Sequence, residues 1–297
     1  MKFGLVGTGY WARVTQAAAL ASEPAAEFTA VWGRSADKAA ALGLQFGVKP
    51  YAARAQYADF LDHVDAVAFS VPPDVQAELA ATAAAAGRHL LLEKPVATSA
   101  AAAGRLAGEV EQTGVSSVVF FTARFDPAVR EWLAEVQDAG FLGGWGRWFG
   151  SAFSPGSPFA SSPWRREKGA LWDVGPHALA LLTGALGPVT ALTADGGAGD
   201  LVHLVLHHSQ GATSTASLTI GAPERAAHTE LSLWGPAGLS PMPALADDPV
   251  ALYRVALREL VAGAEAGRRS HPCDVRFGAG VVKLLAEAER QIAARRD

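Results

Sequence analysis

Phe3-Gly4-Leu5-Val6-Gly7-Thr8-Gly9-Tyr10-Trp11-Ala12 opens the chain and decides how the rest is read. A short apolar run ends in two glycines one residue apart, and alanine-rich sequence from Tyr10 to Ser22 follows. That is a strand, a tight turn and a helix. The first glycine makes the turn, the second lets the backbone approach a pyrophosphate, and the small third residue, Ala12, lets helix and strand pack closely while the helix N-terminus faces the anion. Gly7, Thr8, Gly9, Tyr10 and Trp11 are therefore candidate nucleotide contacts. By itself the turn is also compatible with an ordinary strand-helix connection, and the strand-turn-helix context gives it meaning.

Working outward, Phe28–Trp32, Ala66–Val71, His89–Leu92 and Val115–Phe121 are short, nearly continuous apolar runs bounded by turn residues, as buried strands are. Between them, Ala36–Phe46, Val75–Ala86 and Ala100–Gln112 have the length and propensity of helices. Such alternation predicts a doubly wound parallel sheet of the Rossmann type over residues 1–121. Beyond residue 122 a helix over Pro127–Asp138 precedes longer strands at Arg147–Phe153, Val189–Ala194, Leu201–His208, Thr213–Ile220 and Thr229–Trp234, several with partial period-two patterning. With helices at Ala178–Thr183, Pro249–Ala264 and Val275–Ala294, residues 122–297 predict an α+β substrate and oligomerisation domain on a mostly antiparallel open sheet. Asp248 before Pro249 is an N-cap with proline at the first helical position. The serine- and proline-rich stretch Ser151–Arg166 reads as a long loop.

The end of the second strand bears on the cofactor. Where NAD sites place Asp or Glu for the ribose hydroxyls, this chain has Gly33-Arg34-Ser35, with Lys38 one turn on. Arg34 can pair with a 2′-phosphate and Ser35 can donate to it, so NADP is favoured, with NAD as the alternative. On residue types alone, Arg34 and Lys38 equally suit a solvated helix start. Ser70-Val71-Pro72 and Glu93-Lys94-Pro95 each follow a strand at its carboxyl end, where ligands bind in open α/β sheets. Pro95 stops the strand and aims Lys94, which can exchange a proton there. A salt-bridged surface lysine fits the same spacing.

These residues, with Trp164-Arg165, Arg124-Phe125-Asp126-Pro127 and Gly169-Ala170-Leu171-Trp172-Asp173-Val174-Gly175-Pro176-His177, resemble the Gfo/Idh/MocA oxidoreductase family, whose members include glucose-fructose oxidoreductase and inositol dehydrogenase. The resemblance runs over most of the chain. It implies a nicotinamide-dependent oxidoreductase acting on a sugar, polyol or related hydroxy or carbonyl compound. Lys94 and His177 would flank the nicotinamide and the reacting carbinol in the crevice between the domains, and Asp173 would share a helical face with His177, four residues on. Trp164 and Arg165 would join the cofactor contacts, and the loop before them would shape the substrate side. Three departures bear on the substrate. Gln76 and Ala180 stand where the family commonly has histidine and aspartate, and an asparagine common before Arg124 is replaced by Thr122 or Ala123. The chain is also short for the family, which predicts a lost strand or loop between Trp234 and Asp248. The rival class is a non-catalytic dinucleotide-binding sensor of the same fold, and a reductase of aromatic diols or imines is a third reading.

Composition narrows the partners. The 297 residues are 50% hydrophobic and 18% charged, with a net charge of -4. No basic field gathers nucleic acid or anionic lipid. A single cysteine, Cys273, makes neither an intrachain disulfide nor a thiolate metal site, and the sequence predicts no metal; His203, His207 and His208 read as structural, and His271-Pro272-Cys273-Asp274 is too short a cluster to hold an ion. No apolar stretch suits a signal peptide or membrane span, so a cytoplasmic protein is expected. Trp145, Trp148 and Phe149 suggest either core packing or an apolar sheet face through which the chain forms a homo-oligomer.

Overall fold

A computed structural model describes residues 1–295, which divide into two compact units. The first comprises Met1–Phe125 and Ala246–Gly280. Its six strands are β1 (Lys2–Val6), β2 (Glu27–Gly33), β3 (Lys49–Ala52), β4 (Ala66–Phe69), β5 (His89–Glu93) and β6 (Ser117–Phe120). They pair in parallel in the order β3-β2-β1-β4-β5-β6, the doubly wound arrangement predicted. Phe3, Leu5, Val31, Phe69, Leu90 and Val119 are fully buried, because helices leave neither face of the central strands to water. After β1 the chain enters a π-helical turn, Ala12–Ala17, which continues as α1 (Ala18–Ser22). Ser35 caps α2 (Ala36–Phe46) by accepting from the Lys38 N–H, and Gly47, at φ +69°, ends it. Then come α3 (Tyr57–Asp62), α4 (Pro73–Ala85) and α5 (Ala100–Thr113).

Two elements were not legible. Strand β3 carries Pro50, which lacks a ladder N–H and is tolerated because β3 is an edge. Helix α3 spans only six residues. The packing also divides the chain differently from the expected break after residue 121. Helix α9 (Pro249–Glu265) belongs with the first unit and packs on β5 and β6. Tyr253 meets Phe120 edge-on at 4.8 Å, and Glu23, at the end of α1, accepts from Arg254 (3.1 Å) and Arg258 (2.7 Å). Burial pushes the Glu23 carboxyl up, and the Ala25 N–H with the two arginines outweighs it, leaving Glu23 below the ordinary carboxylate range.

The second unit comprises Asp126–Leu245 and Val281–Asp297, with the chain passing into it inside α10 (Val275–Ala294). Its six-stranded sheet runs β12 (Gly238–Pro241), β11 (His228–Gly235), β7 (Gly143–Phe149), β10 (Thr213–Thr219), β9 (Val202–His208), β8 (Val189–Gly196). All neighbours are antiparallel except β7 and β10. Strand β9 buries Val202, Leu204, Leu206 and His208 and exposes His203, Val205 and His207, so one face is covered and one open. Helices α6 (Pro127–Val136), α7 (Pro163–Asp173) and α8 (Gly175–Leu186) complete the unit, α8 packing on β7 and β10.

Three expectations are corrected here, and a fourth stretch is described. Strand β7 begins at Gly143, because a Cβ there would lie 2.6 Å from both the Thr213 oxygen and the Trp234 indole nitrogen, and one at Gly144 2.7 Å from Leu233. The loop expected over Ser151–Arg166 ends in helix, since Ser162 accepts from the Arg165 N–H and Pro163 starts α7. The stretch between Trp234 and Asp248 holds the edge strand β12. Trp145 and Phe149 share the open face, but Trp148 points to the other, so the three aromatics form no single surface. Among the described residues no helix is long and apolar enough to cross a membrane.

Candidate functional site

The turn after β1 has the shape its sequence predicts. Gly7 sits at φ +133°, and a Cβ there would lie 2.3 Å from the Ser70 carbonyl oxygen, so only glycine fits. Gly9 differs: nothing lies within 4 Å of where its Cβ would be, and the residue is exposed. Ala12 is fully buried against the sheet. Close backbone approach on one side and open space on the other are what a diphosphate lying across the turn requires, so these residues fit a dinucleotide.

At the end of β2, a Cβ on Gly33 would lie 2.7 Å from Thr8 Cγ2. Thr8 therefore excludes a carboxylate from that position. Arg34, Ser35 and Lys38 are all exposed, and the Ser35 oxygen that caps α2 keeps its own O–H to donate. Ser70, Val71 and Pro72 follow β4, beside the glycine turn.

The end of β5 is held from several directions. Glu93 accepts from Trp11 Nε1 at 2.8 Å, from Gln16 Nε2 at 2.8 Å and from the Lys94 N–H at 3.3 Å. Its backbone is gripped by Gln76, whose Oε1 accepts from the Glu93 N–H at 2.8 Å while Nε2 donates to the Glu93 carbonyl at 2.8 Å and the Pro95 carbonyl at 3.3 Å. Burial pushes the Glu93 carboxyl up, and the Lys94 charge, Trp11 and Gln16 only partly offset this. Trp11 and Glu93, both expected to touch the cofactor, are bonded to each other as well. Gln76, which stood out as a departure affecting the substrate, is fully buried and serves the backbone. Gln16 carried no motif; its one signal was a long amide inside an alanine-rich helix start.

In the second unit, Asp173 is buried and accepts from Arg165 Nε at 2.7 Å. The Arg165 guanidinium lies 4.2 Å over the Phe159 ring, and the neighbouring Trp164 indole N–H is buried without a partner. His177 stacks on Trp148 with ring centres 5.5 Å apart and planes 8° from parallel. Helix α7 ends at Asp173 and α8 begins at Gly175, yet Val174 between them keeps helical dihedrals, donates its N–H to the Ala170 carbonyl at 3.0 Å and accepts from the Ala178 N–H at 3.4 Å. Pro176 removes one N–H from the join, and His177 donates its own to the Val174 carbonyl at 3.1 Å. His271, once considered as a metal fragment, has both ring nitrogens engaged, by Glu259 at 2.9 Å and by the Cys273 N–H at 3.0 Å. Among the described residues no group of three or more His, Cys, Asp or Glu could hold a metal ion.

Comparison with known proteins agrees with this fold. Residues 1–121 match the Gfo/Idh/MocA family, described as "Oxidoreductase family, NAD-binding Rossmann fold". The chain is 31% identical over 182 residues to dTDP-3,4-didehydro-2,6-dideoxy-alpha-D-glucose 3-reductase of Actinomadura kijaniata, covering 60% of this chain and 53% of that protein. It is 31% identical over 228 residues to D-apiose dehydrogenase of Paraburkholderia graminis, covering 72% and 59%. The chain therefore spans little more than half the length of these curated relatives. Among solved structures, GenD2 from gentamicin A biosynthesis in complex with NAD has a TM-score of 0.85 at 22% identity, covering 99% of this chain and 94% of that one. Levoglucosan dehydrogenase in complex with NADH and L-sorbose has a TM-score of 0.83 at 19% identity, covering 99% and 97%. With its sheet order and its glycine turn, the segment of residues 1–121 belongs to the Gfo/Idh/MocA oxidoreductase family and carries that family's NAD-binding Rossmann fold.

Proposed function

We propose that this protein is an NAD(P)-dependent oxidoreductase that moves hydride between a nicotinamide cofactor and a sugar, polyol or related hydroxy or carbonyl compound. The observation that carries the reading is the turn at Gly7–Ala12, with its backbone open at Gly9 and a helix N-terminus behind it. The relatives named as a sugar reductase and a sugar dehydrogenase support the substrate class. NADP(H) is the preferred cofactor, because Thr8 keeps a carboxylate from position 33 while Arg34, Ser35 and Lys38 offer two cations and a hydroxyl to a 2′-phosphate. Tyr10, Ser70, Val71, Pro72, Trp164 and Arg165 are assigned as further cofactor contacts. Trp164 suits that role through its unsatisfied indole N–H and Arg165 through a guanidinium already oriented by Asp173.

When bound, the nicotinamide supplies a hydride acceptor or donor. The chain's own task is then the proton. Lys94 and His177 are the groups assigned to take it from, or return it to, the substrate hydroxyl, with His177 held in plane by Trp148. Asp173 orients Arg165 and the substrate hydroxyls. The open face of the second sheet, with Trp145, Val205 and Trp234 among its exposed or half-exposed side chains, is assigned to self-association.

The test is to titrate the purified protein with NADPH and NADH calorimetrically, then follow absorbance at the nicotinamide band with a panel of sugars, polyols and dicarbonyls. Turnover on one of them, with NADPH bound about tenfold or more tighter than NADH, is the expected result. Tighter NADH binding overturns the cofactor preference, and binding without turnover on any compound favours a dinucleotide sensor.

A further inference from the structure

The buried polar contacts around Glu93 are more numerous than the fold needs. The π-helical turn Ala12–Ala17 lies directly after the glycine turn, and insertions of that kind cost regular helical hydrogen bonding and concentrate at working sites. Here it carries Gln16, fully buried in the first unit, whose Nε2 donates both to the Phe69 carbonyl at 2.9 Å and to Glu93 Oε1. Its Oε1 finds no partner, and neither does the Thr15 hydroxyl beside it. Each such buried orphan costs about 1–3 kcal/mol. The same carboxylate oxygen of Glu93 receives the Trp11 indole N–H, from the residue that follows Tyr10 on the glycine turn. The second oxygen receives the Lys94 N–H, and the Lys94 charge acts on the same carboxyl. From the other side, Gln76 fixes the Glu93 backbone and the Pro95 carbonyl, so the peptide on either side of Lys94 has a set position.

We propose that Trp11 and Gln16 are positioning residues that hold the Glu93 carboxylate, and through it Lys94, so that nucleotide binding at the Gly7–Trp11 turn and the placement of the Lys94 amine are one linked event. Gln76 is the fixed anvil of the arrangement, and Trp11 is its moving part. A dinucleotide pressing on the turn bears on Trp11, and the indole N–H passes that constraint to the Glu93 carboxylate. This deepens the proposed function and rests on its dinucleotide site, yet it concerns residues that touch neither hydride nor substrate.

The test reads the lysine itself rather than turnover. The folded, full-length protein is treated with a limiting amine-reactive acylating reagent, with and without saturating NADPH, and labelling at each lysine is quantified by peptide mass spectrometry. The exposed Lys2 and Lys49 serve as internal standards. In the wild type, NADPH should slow Lys94 labelling about tenfold or more. Trp11→Phe keeps the ring and removes the donor, and Gln16→Met keeps volume and removes the amide. NADPH affinity is measured for each variant and the labelling is run at saturation, where protection of Lys94 should fall to about threefold or less. Glu93→Gln, which retains an acceptor oxygen for both donors, should restore more of the protection than Glu93→Ala. If Trp11→Phe and Gln16→Met protect Lys94 as the wild type does, the linkage is wrong while the dinucleotide site stands. If the wild type binds neither NADPH nor NADH, both fall together. A variant that fails to fold is recognised from its circular dichroism, and the remaining one then decides.

Discussion

In the first unit the central strands are covered on both faces, and in the second the sheet is covered on one only. That difference changes what a polar side chain means in each. The second sheet has a whole face on which polar residues are unremarkable: His203 bonds Ser217, Arg147 pairs with Glu230, and His228 reaches the same glutamate. The first two are cross-strand pairs and the third lies along one strand, all on a wet surface and each contributing well under about 1 kcal/mol. The first sheet has no such face. Along β1, β4 and β5 polar side chains come only at the strand ends, as Thr8, Ser70, Glu93 and Lys94 do. Position in the first unit is therefore informative by itself, whereas in the second only groups on the covered side or on the helices, such as Asp173, Trp148 and His177, call for explanation.

The largest effect expected from this contrast is on turnover. Replacing Lys94 at its strand end, or His177 in α8, by alanine should lower kcat about 10²- to 10⁴-fold once a substrate is in hand, with little change in melting temperature. If either substitution leaves kcat within about twofold of the wild type, that residue is not a proton-transfer group. A loss at Lys94 without one at His177 would confine the chemistry to the first unit.

The two glycines of the turn sharpen the point, since Gly7 is pressed against the Ser70 carbonyl and Gly9 faces open space. Gly7→Ala forces a side chain onto the Ser70 carbonyl at a φ that L residues avoid, and should cost more than about 3 kcal/mol of stability. Gly9→Ala meets nothing, so its stability should stay within about 0.5 kcal/mol while NADPH affinity drops about tenfold or more. Denaturant melts and calorimetric titration of both variants separate the roles. Equal stability losses at the two positions would show that the open side of Gly9 is not where a ligand lies.

This also explains how far the sequence could be read. The first unit was legible because local and global signals agree there. Ser35 and Gly47 bracket α2 at the boundaries expected of it, and the continuous apolar runs became the strands. It failed where tertiary context overrides composition. Pro50 hid β3, and the return of α9 to the first unit rests on contacts such as Tyr253 with Phe120 that no local pattern announces. In the second unit, Gly143, Gly144 and Gly146 disguised a central strand, the first two required by close neighbours, and Gly169, at φ +62°, breaks the pattern of α7. Of the site, Lys94, Asp173 and His177 could be named from the resemblance alone. Gln16 carried no motif, and although Gln76, Arg165 and Trp148 drew notice in the sequence, their bonds to the Glu93 backbone and Asp173 and the stacking on His177 join distant or unpatterned positions and show only in three dimensions.

Acid should distinguish the units as well. His208 is buried in the second sheet between the Gly187 carbonyl and the Ser214 hydroxyl; burial lowers its pKa below 6.5, the Gly187 carbonyl opposes this, and the neighbouring His207 adds to it. Its contribution is present above pH 6.5 and is lost as pH falls through the lower folded value. Glu23 in the first unit is also depressed, from 4.5, so its contribution is present above that pH and is lost only further into acid. Burial lowers His89 in the first unit as it does His208, so unfolding followed by hydrogen exchange should show both units loosening as pH falls from 7, and the first unit losing a further contribution below about pH 4.5. Glu23→Gln should weaken the first unit by about 1–3 kcal/mol at pH 7 and flatten that second acid limb. If the first unit shows no further loss below about pH 4.5, Glu23 does not contribute as described.

The smallest effect tests whether strain at a strand end is structural or functional. Ala53, just past β3, has φ 59° and ψ 164°, a region suited to glycine, and is the one non-glycine residue at positive φ among the described residues. It is held there because its carbonyl accepts the Trp32 indole N–H at 3.0 Å and its own N–H donates to the Gly33 carbonyl at 3.3 Å. That second bond ties the strained residue to the position where Thr8 excludes a carboxylate. Ala53→Gly relieves strain of about 1–3 kcal/mol and gives back part of it as added freedom of the unfolded chain, for a net gain of about 1 kcal/mol and a rise of about 2–4 °C in Tm. If Tm falls instead, the conformation is not strained in this setting. If it rises while NADPH binding weakens, the strain is being used to hold Gly33 and Arg34 for the nucleotide, and the rule that position alone is informative in the first unit extends to its edge strand. If it rises with affinity unchanged, that rule stops at the turn after β2.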